Sequence, residues 1–153
     1  MTLEDDIDKI INNALLEDIR SGDITCEACI DPDQNIEGEF ILKESAVLAG
    51  LCFLPRVFQK LNPCIEVVIC EEEGKLVPSG TVVAKIKGPA REILTAERVA
   101  LNLVQHACGV ATMTNHFVEK VKPYPCDILD TRKTLPGLRA LEKYAVRIGG
   151  GKN

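Results

Sequence analysis

The feature that most constrains this chain is the stretch 95–133. Its first part, TAERVALNLVQHACGVATMTNHFVEKV, reads as one long helix or as two broken near Gly109. Ala96, Val99, Ala100, Leu103, Val104 and Ala107 recur at helical spacing and make a core stripe. Thr95 is the expected N-cap, with Glu97 in the first turn, where the helix dipole favours a carboxylate. A second stripe is polar: Arg98, Asn102, Gln105, Gly109 and Thr112 share one face. A solvated face normally carries several Lys and Glu. This face carries one Arg and two amides, which suits an anion or a planar polar ligand; an ordinary subunit contact suits it too. Arg98 near a helix start is itself informative, because the positive end of the dipole disfavours a cation there.

The second part is DILDTRKT. Residues 127–131 form a short apolar strand that runs into Arg132 and Lys133, and Pro136-Gly137 then opens a helix. In α/β folds, ligands sit at the carboxyl ends of parallel strands. Arg there offers a bidentate fork for carboxylate or phosphate, and Lys a mobile point charge. A basic pair on an ordinary surface has the same spacing.

Composition removes several function classes. A net charge of −5 with no basic patch argues against nucleic-acid binding. No apolar run is long enough for a membrane span, and the acidic N-terminus is unlike a signal or transit peptide. The expectation is a soluble, cytoplasmic protein. Seven irregularly spaced cysteines suit reduced, buried thiols. Cys26-x-x-Cys29 is one isolated pair, too few ligands for zinc, and no metal ligand is assigned.

The rest of the chain reads in order. Thr2 caps a first helix with Leu3, Ile7, Ile10, Ile11, Ala14 and Leu15 on its apolar face. Ser21-Gly22-Asp23 ends it, with Gly22 as the C′ residue, and Ile24-Thr25 leads into a loop. Residues 36–43 alternate as a half-buried strand, and 46–51 are extended. Residues 54–61 make a short helix with Pro55 in its first turn. Residues 65–70 and 81–87 are strands, separated by turns at 71–74 and 78–80. Gly88-Pro89 stops the sheet and hands over to the long helix. Leu138, Leu141 and Ala145 form the core face of a last helix, ended by Gly149-Gly150-Gly151. The order therefore gives an α+β part over 1–95, an open sheet with helices, followed over 96–153 by the start of an alternating strand–helix pattern. A parallel sheet stopping there leaves unpaired edges, and a barrel needs more units to close. The expectation is a fragment, a truncated gene product or one piece of a split protein.

The run TAERVALN…GVAT…ILDTRKTLPGLRALEKYAVRIGGGKN, with EDIRSGDIT and EGKLVPSGTVVAKIKGPAR before it, closely resembles the quinolinate phosphoribosyltransferase family. The resemblance implies a hammerhead-like α+β N-terminal domain and a TIM-like barrel, incomplete here. It implies transfer of phosphoribosyl from phosphoribosyl pyrophosphate to quinolinate with decarboxylation, a step of NAD synthesis. It makes Arg98 a carboxylate-binding residue donated across a dimer interface. It makes Arg132 and Lys133 the pair holding quinolinate and the phosphoribosyl donor, with Lys133 catalytic. Asn102, Gln105, Thr131 and Thr134 are expected to support them. Magnesium would accompany the phosphoribosyl pyrophosphate, on family carboxylates that lie beyond residue 153. The family continues after this Asn153 with His-Arg and a further Lys. It more often has Leu-Ser where Ala107-Cys108 stand here. Two other readings remain: a paralogue such as the ModD-like proteins linked to molybdenum transport, or a non-catalytic module. EEEGKLVPSGTVVAKIKG has the strand–turn–strand look of biotinyl and lipoyl modules, but neither Lys75 nor Lys85 has the hairpin-tip setting those need.

Overall fold

The computed structural model describes residues 2–153. Helix α1, Leu3–Ile19, starts on a reciprocal cap. Thr2 Oγ1 accepts the Asp5 N–H at 3.2 Å, and Asp5 accepts the Thr2 N–H at 2.7 Å. Those bonds hold the Asp5 carboxyl below its ordinary range. Ile7, Ile10, Ile11 and Leu15 are buried, as the spacing requires. The end of α1 differs from expectation. Its C-cap is Arg20, a non-glycine with φ 48°, and Gly22 lies two residues further on. The following segment is not a loop. Asp23 Oδ1 accepts the Cys26 N–H at 3.0 Å and caps a short helix α2, Ile24–Cys29.

Strands β1 (Asn35–Ile41), β3 (Glu66–Ile69) and β5 (Val82–Pro89) form an antiparallel sheet in the order β1-β5-β3. Ile36, Gly38 and Phe40 turn inward while Glu37 and Glu39 face out and pair with Lys87 and Lys85 across β5. A second, two-stranded sheet joins β2 (Ala46–Val47) to β4 (Leu76–Val77). β4 was not expected; two residues between turns are too few for a readable alternation. The extended run at 46–51 is likewise shorter, because Leu51–Phe53 coil into a 3₁₀ turn that leads into α3, Leu54–Gln59.

Helix α4, Ala90–Val121, is a single element of 32 residues, roughly 48 Å long. It begins directly after Pro89, so Thr95 is not its N-cap and Glu97 is not in its first turn; Glu92 is. Arg98 therefore lies more than two turns in, away from the dipole's positive end. Nor does Gly109 break the helix: it is exposed, and a Cβ there would meet nothing within 4 Å. The core stripe is borne out, with Ala96, Ala100, Ala107 and Ala111 fully covered. Small residues let neighbours come close. Val47 N–H donates to Thr112 Oγ1 at 2.9 Å, and Ala49 N–H meets Cys108 Sγ at 3.4 Å.

After α4 the chain makes one parallel step. The expected strand at 127–131 is reduced to a single bridge between Leu129 and Lys152. Lys152 N–H donates to Ile128 O at 2.9 Å, and Asp130 N–H to Lys152 O at 2.8 Å, the slanted pattern of a parallel pair. Between them runs α5, Arg139–Ile148, which packs on α4. Pro136-Gly137 is a turn before this helix rather than its opening. Leu141 and Ala145 are buried, and Leu138 is the N-cap. The architecture is thus an α+β unit followed by the first strand–helix–strand step of a barrel-like α/β unit. Residue 95 lies inside α4. The cysteines correct one expectation: all seven are free, but Cys29, Cys52, Cys64, Cys70 and Cys126 are exposed, and of the seven Cys26 and Cys108 are buried.

Candidate active site

Arg98, Asn102 and Gln105 do share an exposed face of α4. Gln105 Nε2 approaches Asn102 Oδ1 at 3.5 Å. The Arg98 side chain is 74% exposed, and its one ion-pair partner among the described residues is Asp18 of α1, 3.2 Å from Nη1. This contact is monodentate. It leaves most of the guanidinium fork open toward a hollow of about 280 Å³ lined by Gly22, Asp23, Thr25 and Thr95. Gly109 and Thr112 belong to the same stripe, but the Thr112 hydroxyl is spent on Val47 and on Cys108 O.

Arg132 and Lys133 are exposed on the loop that leaves the strand end at Leu129. Among the described residues neither side chain has a carboxylate partner. The loop's backbone is nevertheless well held. Thr131 Oγ1 accepts the Lys133 N–H at 3.1 Å. Thr134 Oγ1 accepts Arg139 Nε at 3.3 Å. Leu135 N–H reaches both carboxylate oxygens of Glu142 at 3.4 Å. Thr131 and Thr134 thus hold the backbone on either side of the two cations. The sequence reading did not single out Asp18, Glu142 or Lys143, whose contacts only the fold discloses.

Among the described residues no hydrogen bond or ion pair joins Arg98, Asn102 or Gln105 to Arg132 or Lys133. For magnesium the described residues do not fit: no three of His, Cys, Asp and Glu are grouped so as to hold a metal ion. No residue of this chain is assigned to it.

A third cluster ties the α+β unit to α5. Tyr144 Oη donates to Glu73 Oε2, Cys52 N–H donates to Glu73 Oε1 at 3.0 Å, and Cys52 Sγ lies 3.2 Å from Tyr144 Oη. The Phe53 ring packs on Tyr144 at 4.9 Å. Although Cys52 as a residue is exposed, desolvation of its thiol beside Tyr144 pushes it up to about 11, and desolvation raises the Tyr144 hydroxyl well above its ordinary value. Both therefore stay protonated at neutral pH. The cluster is a neutral-donor lock on one carboxylate rather than a reactive thiol.

Comparison with known proteins adds the family context. Residues 23–108 match the model of the quinolinate phosphoribosyl transferase N-terminal domain, and 110–153 that of its C-terminal domain. The chain is 41% identical to a probable nicotinate-nucleotide pyrophosphorylase (carboxylating) of Bacillus subtilis, over 95% of this chain and 50% of that protein. It is 44% identical to a protein of the same description from Synechocystis, over 96% of this chain and 50% of the relative. The crystal structure of NadC from Streptococcus pyogenes superimposes with a TM-score of 0.93 at 40% identity, covering 100% of this chain and 54% of that one. The nicotinate-nucleotide pyrophosphorylase from Francisella tularensis gives 0.90 at 37%, covering 97% and 53%. The chain spans about half the length of the relatives it matches.

Proposed function

This chain belongs to the quinolinate phosphoribosyltransferase family, and from that premise we propose that it supplies two cationic surfaces to an enzyme making nicotinate mononucleotide. In that reaction the ring nitrogen of quinolinate attacks the anomeric carbon of phosphoribosyl pyrophosphate. Pyrophosphate leaves, and the 2-carboxylate is then lost as carbon dioxide. The observation that carries the reading is the exposed Arg132–Lys133 pair, unpaired among the described residues, at the end of a parallel strand. Two cations without carboxylates of their own are set to receive a dianion.

Arg132 binds a quinolinate carboxylate through its planar fork. Lys133 places a point charge where negative charge builds on the departing pyrophosphate, which is its catalytic role. Arg98 binds a carboxylate of quinolinate held by a second copy. Their exposed positions support that sharing. Asn102, Gln105, Thr131 and Thr134 orient them. Magnesium, when bound to pyrophosphate, would offset its charge; no step here is assigned to it. The proposed compartment is the cytoplasm, which the seven free cysteines favour. No described helix is long and apolar enough to cross a membrane.

The test is quinolinate-dependent release of pyrophosphate from phosphoribosyl pyrophosphate. The chain is assayed alone and mixed with the remaining half of the Bacillus subtilis relative. The chain alone should give no measurable transfer, because each missing charge-stabilising group costs on the order of 3 kcal/mol at the transition state. The mixture should turn over. No transfer by the mixture, while the two halves of the relative itself do transfer, would overturn the reading.

A further inference from the structure

The loop carrying Arg132 and Lys133 is gripped at both ends by two consecutive residues of α5. Just before the loop, Lys143 Nζ lies 3.0 Å from Asp130 Oδ1 and 2.9 Å from Oδ2. The Asp130 side chain is only 8% exposed. The same ammonium donates to Asn153 Oδ1 at 3.0 Å, so one cation ties together the ends of both parallel strands. Just after the loop, Glu142 takes the Leu135 N–H and also meets His106 Nε2 of α4 at 3.0 Å. Thr131 to Thr134 lie between these two anchors. Arg132 and Lys133 have exposed, flexible side chains, so where their charges sit depends on the loop backbone. A misplacement of about 1 Å in a catalytic arrangement can cost a hundredfold in rate.

We propose that Glu142 and Lys143 form a positioning clamp, with Lys143 its principal member, that sets the Arg132–Lys133 loop for carboxylate and phosphate binding. The inference rests on the reading of those two cations as substrate-binding. Lys143 does not itself touch substrate. It acts by fixing Asp130 to Asn153, and so fixes the point from which the loop departs. Lys143 has a simpler alternative duty, which is to neutralise a buried carboxylate. Removing one partner of a buried pair strands the other charge, so a stability loss alone would not separate the two roles.

The experiment uses the enzyme reconstituted from this chain and the complementary half of the Bacillus subtilis relative. Lys143→Met should raise the quinolinate KM at least about tenfold and lower the melting temperature. Adding Asp130→Asn in the same chain removes the stranded charge. The double variant should regain most of the melting temperature while its KM stays raised. A KM that returns with the melting temperature would reduce Lys143 to charge neutralisation and overturn the clamp. If Lys143→Met fails to fold, the double variant decides by the same criterion. Arg132→Ala is measured beside them. An unchanged KM in Arg132→Ala overturns the site reading and this inference with it; an unchanged KM in Lys143→Met alone overturns only the clamp.

Discussion

The role proposed for Arg98 rests on a different feature than the sequence suggests. Its place in the middle of α4 removes any conflict with the helix dipole. What remains is an exposed guanidinium held by one oxygen of Asp18. An exposed ion pair of that kind is worth about 0–1 kcal/mol, so a substrate dicarboxylate can take the fork from Asp18 without a large penalty. In the reconstituted enzyme, Arg98→Lys keeps the charge and loses the fork. Quinolinate affinity or turnover should fall at least about tenfold, near 1.4 kcal/mol, with circular dichroism unchanged. Kinetics like wild type would remove Arg98 from the site. Asp8 tests a different duty. It receives Arg56 Nε at 3.1 Å and Nη2 at 2.9 Å, tying α1 to α3, and the Arg56 hydrogen bond holds its carboxyl below the usual range. A folded-state pKa below the unfolded value means stability present above the unfolded pKa, about 3.9, and lost as pH falls through the folded one. Asp8→Asn should therefore cost about 1 kcal/mol or less at pH 6, and the gap should shrink steadily as the pH is taken down towards 2, read from urea midpoints. A gap that persists undiminished at pH 2 would mean that the Asp8 charge is not what stabilises.

Elements long enough to show a period were legible in the sequence, β1, β3 and β5 among them, and the shortest elements were not. The apolar stripes of α1 and α4 announce themselves over several turns, so both helices and their buried faces were readable. β4 is two residues long and exists only because β2 pairs with it, whereas the strand at 127–131 was readable but shrinks to one parallel bridge at Leu129. The N-terminus of α4 misled because Thr95 has the chemistry of a cap, while the actual start follows Pro89, which offers no side-chain bond. The loop cations were legible as residues. Their anchors on α5 were not, since Glu142 and Lys143 look like any solvated pair until their partners are placed. The glycine run after α5 shows the same limit. Chain logic explains a helix stop, but Gly149 has an ordinary φ of −72°. Its constraint is α4: a Cβ there would lie 2.4 Å from Ala111 O and 2.8 Å from Thr114 Cβ. Backbone on both sides cannot yield. Gly149→Ala should therefore lower stability by about 1–3 kcal/mol, the usual range for overpacking, and loosen α5 from α4. Exposed Gly137→Ala, by contrast, meets no neighbour and pays only for φ 85°. A Gly149→Ala protein with an unchanged chemical-denaturation midpoint would show that the two helices are not in contact there.

At the scale of the whole molecule, large apolar side chains stay partly exposed in two places. One is the outer half of α4, where Leu94 and Leu101 on one side of the polar stripe and Met113 and Phe117 on the other are each between 36% and 58% exposed. The other surrounds the parallel bridge, where Leu129 is 65% and Leu135 53% exposed. Parallel strands are ordinarily covered on both faces and paired on both edges, so the second surface calls for further strands and helices. The first belongs to a helix whose polar neighbours, Arg98, Asn102 and Gln105, are proposed to serve a second copy's site. The two surfaces should therefore respond to different partners. Alone at micromolar concentration, the chain should scatter as dimers and larger species, because both surfaces can associate. Supplying the complementary half of the Bacillus subtilis relative should cover the strand surface and collapse the distribution. The remaining mass should be that of two copies of the reconstituted unit. Leu101→Lys with Phe117→Lys should then halve that mass without unfolding, since both side chains point to solvent in one copy. The same double variant should lose transfer if Arg98 must reach a neighbouring site, because the halves of that site would no longer meet. A sharp monomer peak for the unmodified chain would refute the association. Full transfer by a monomeric Leu101→Lys/Phe117→Lys enzyme would refute the shared site.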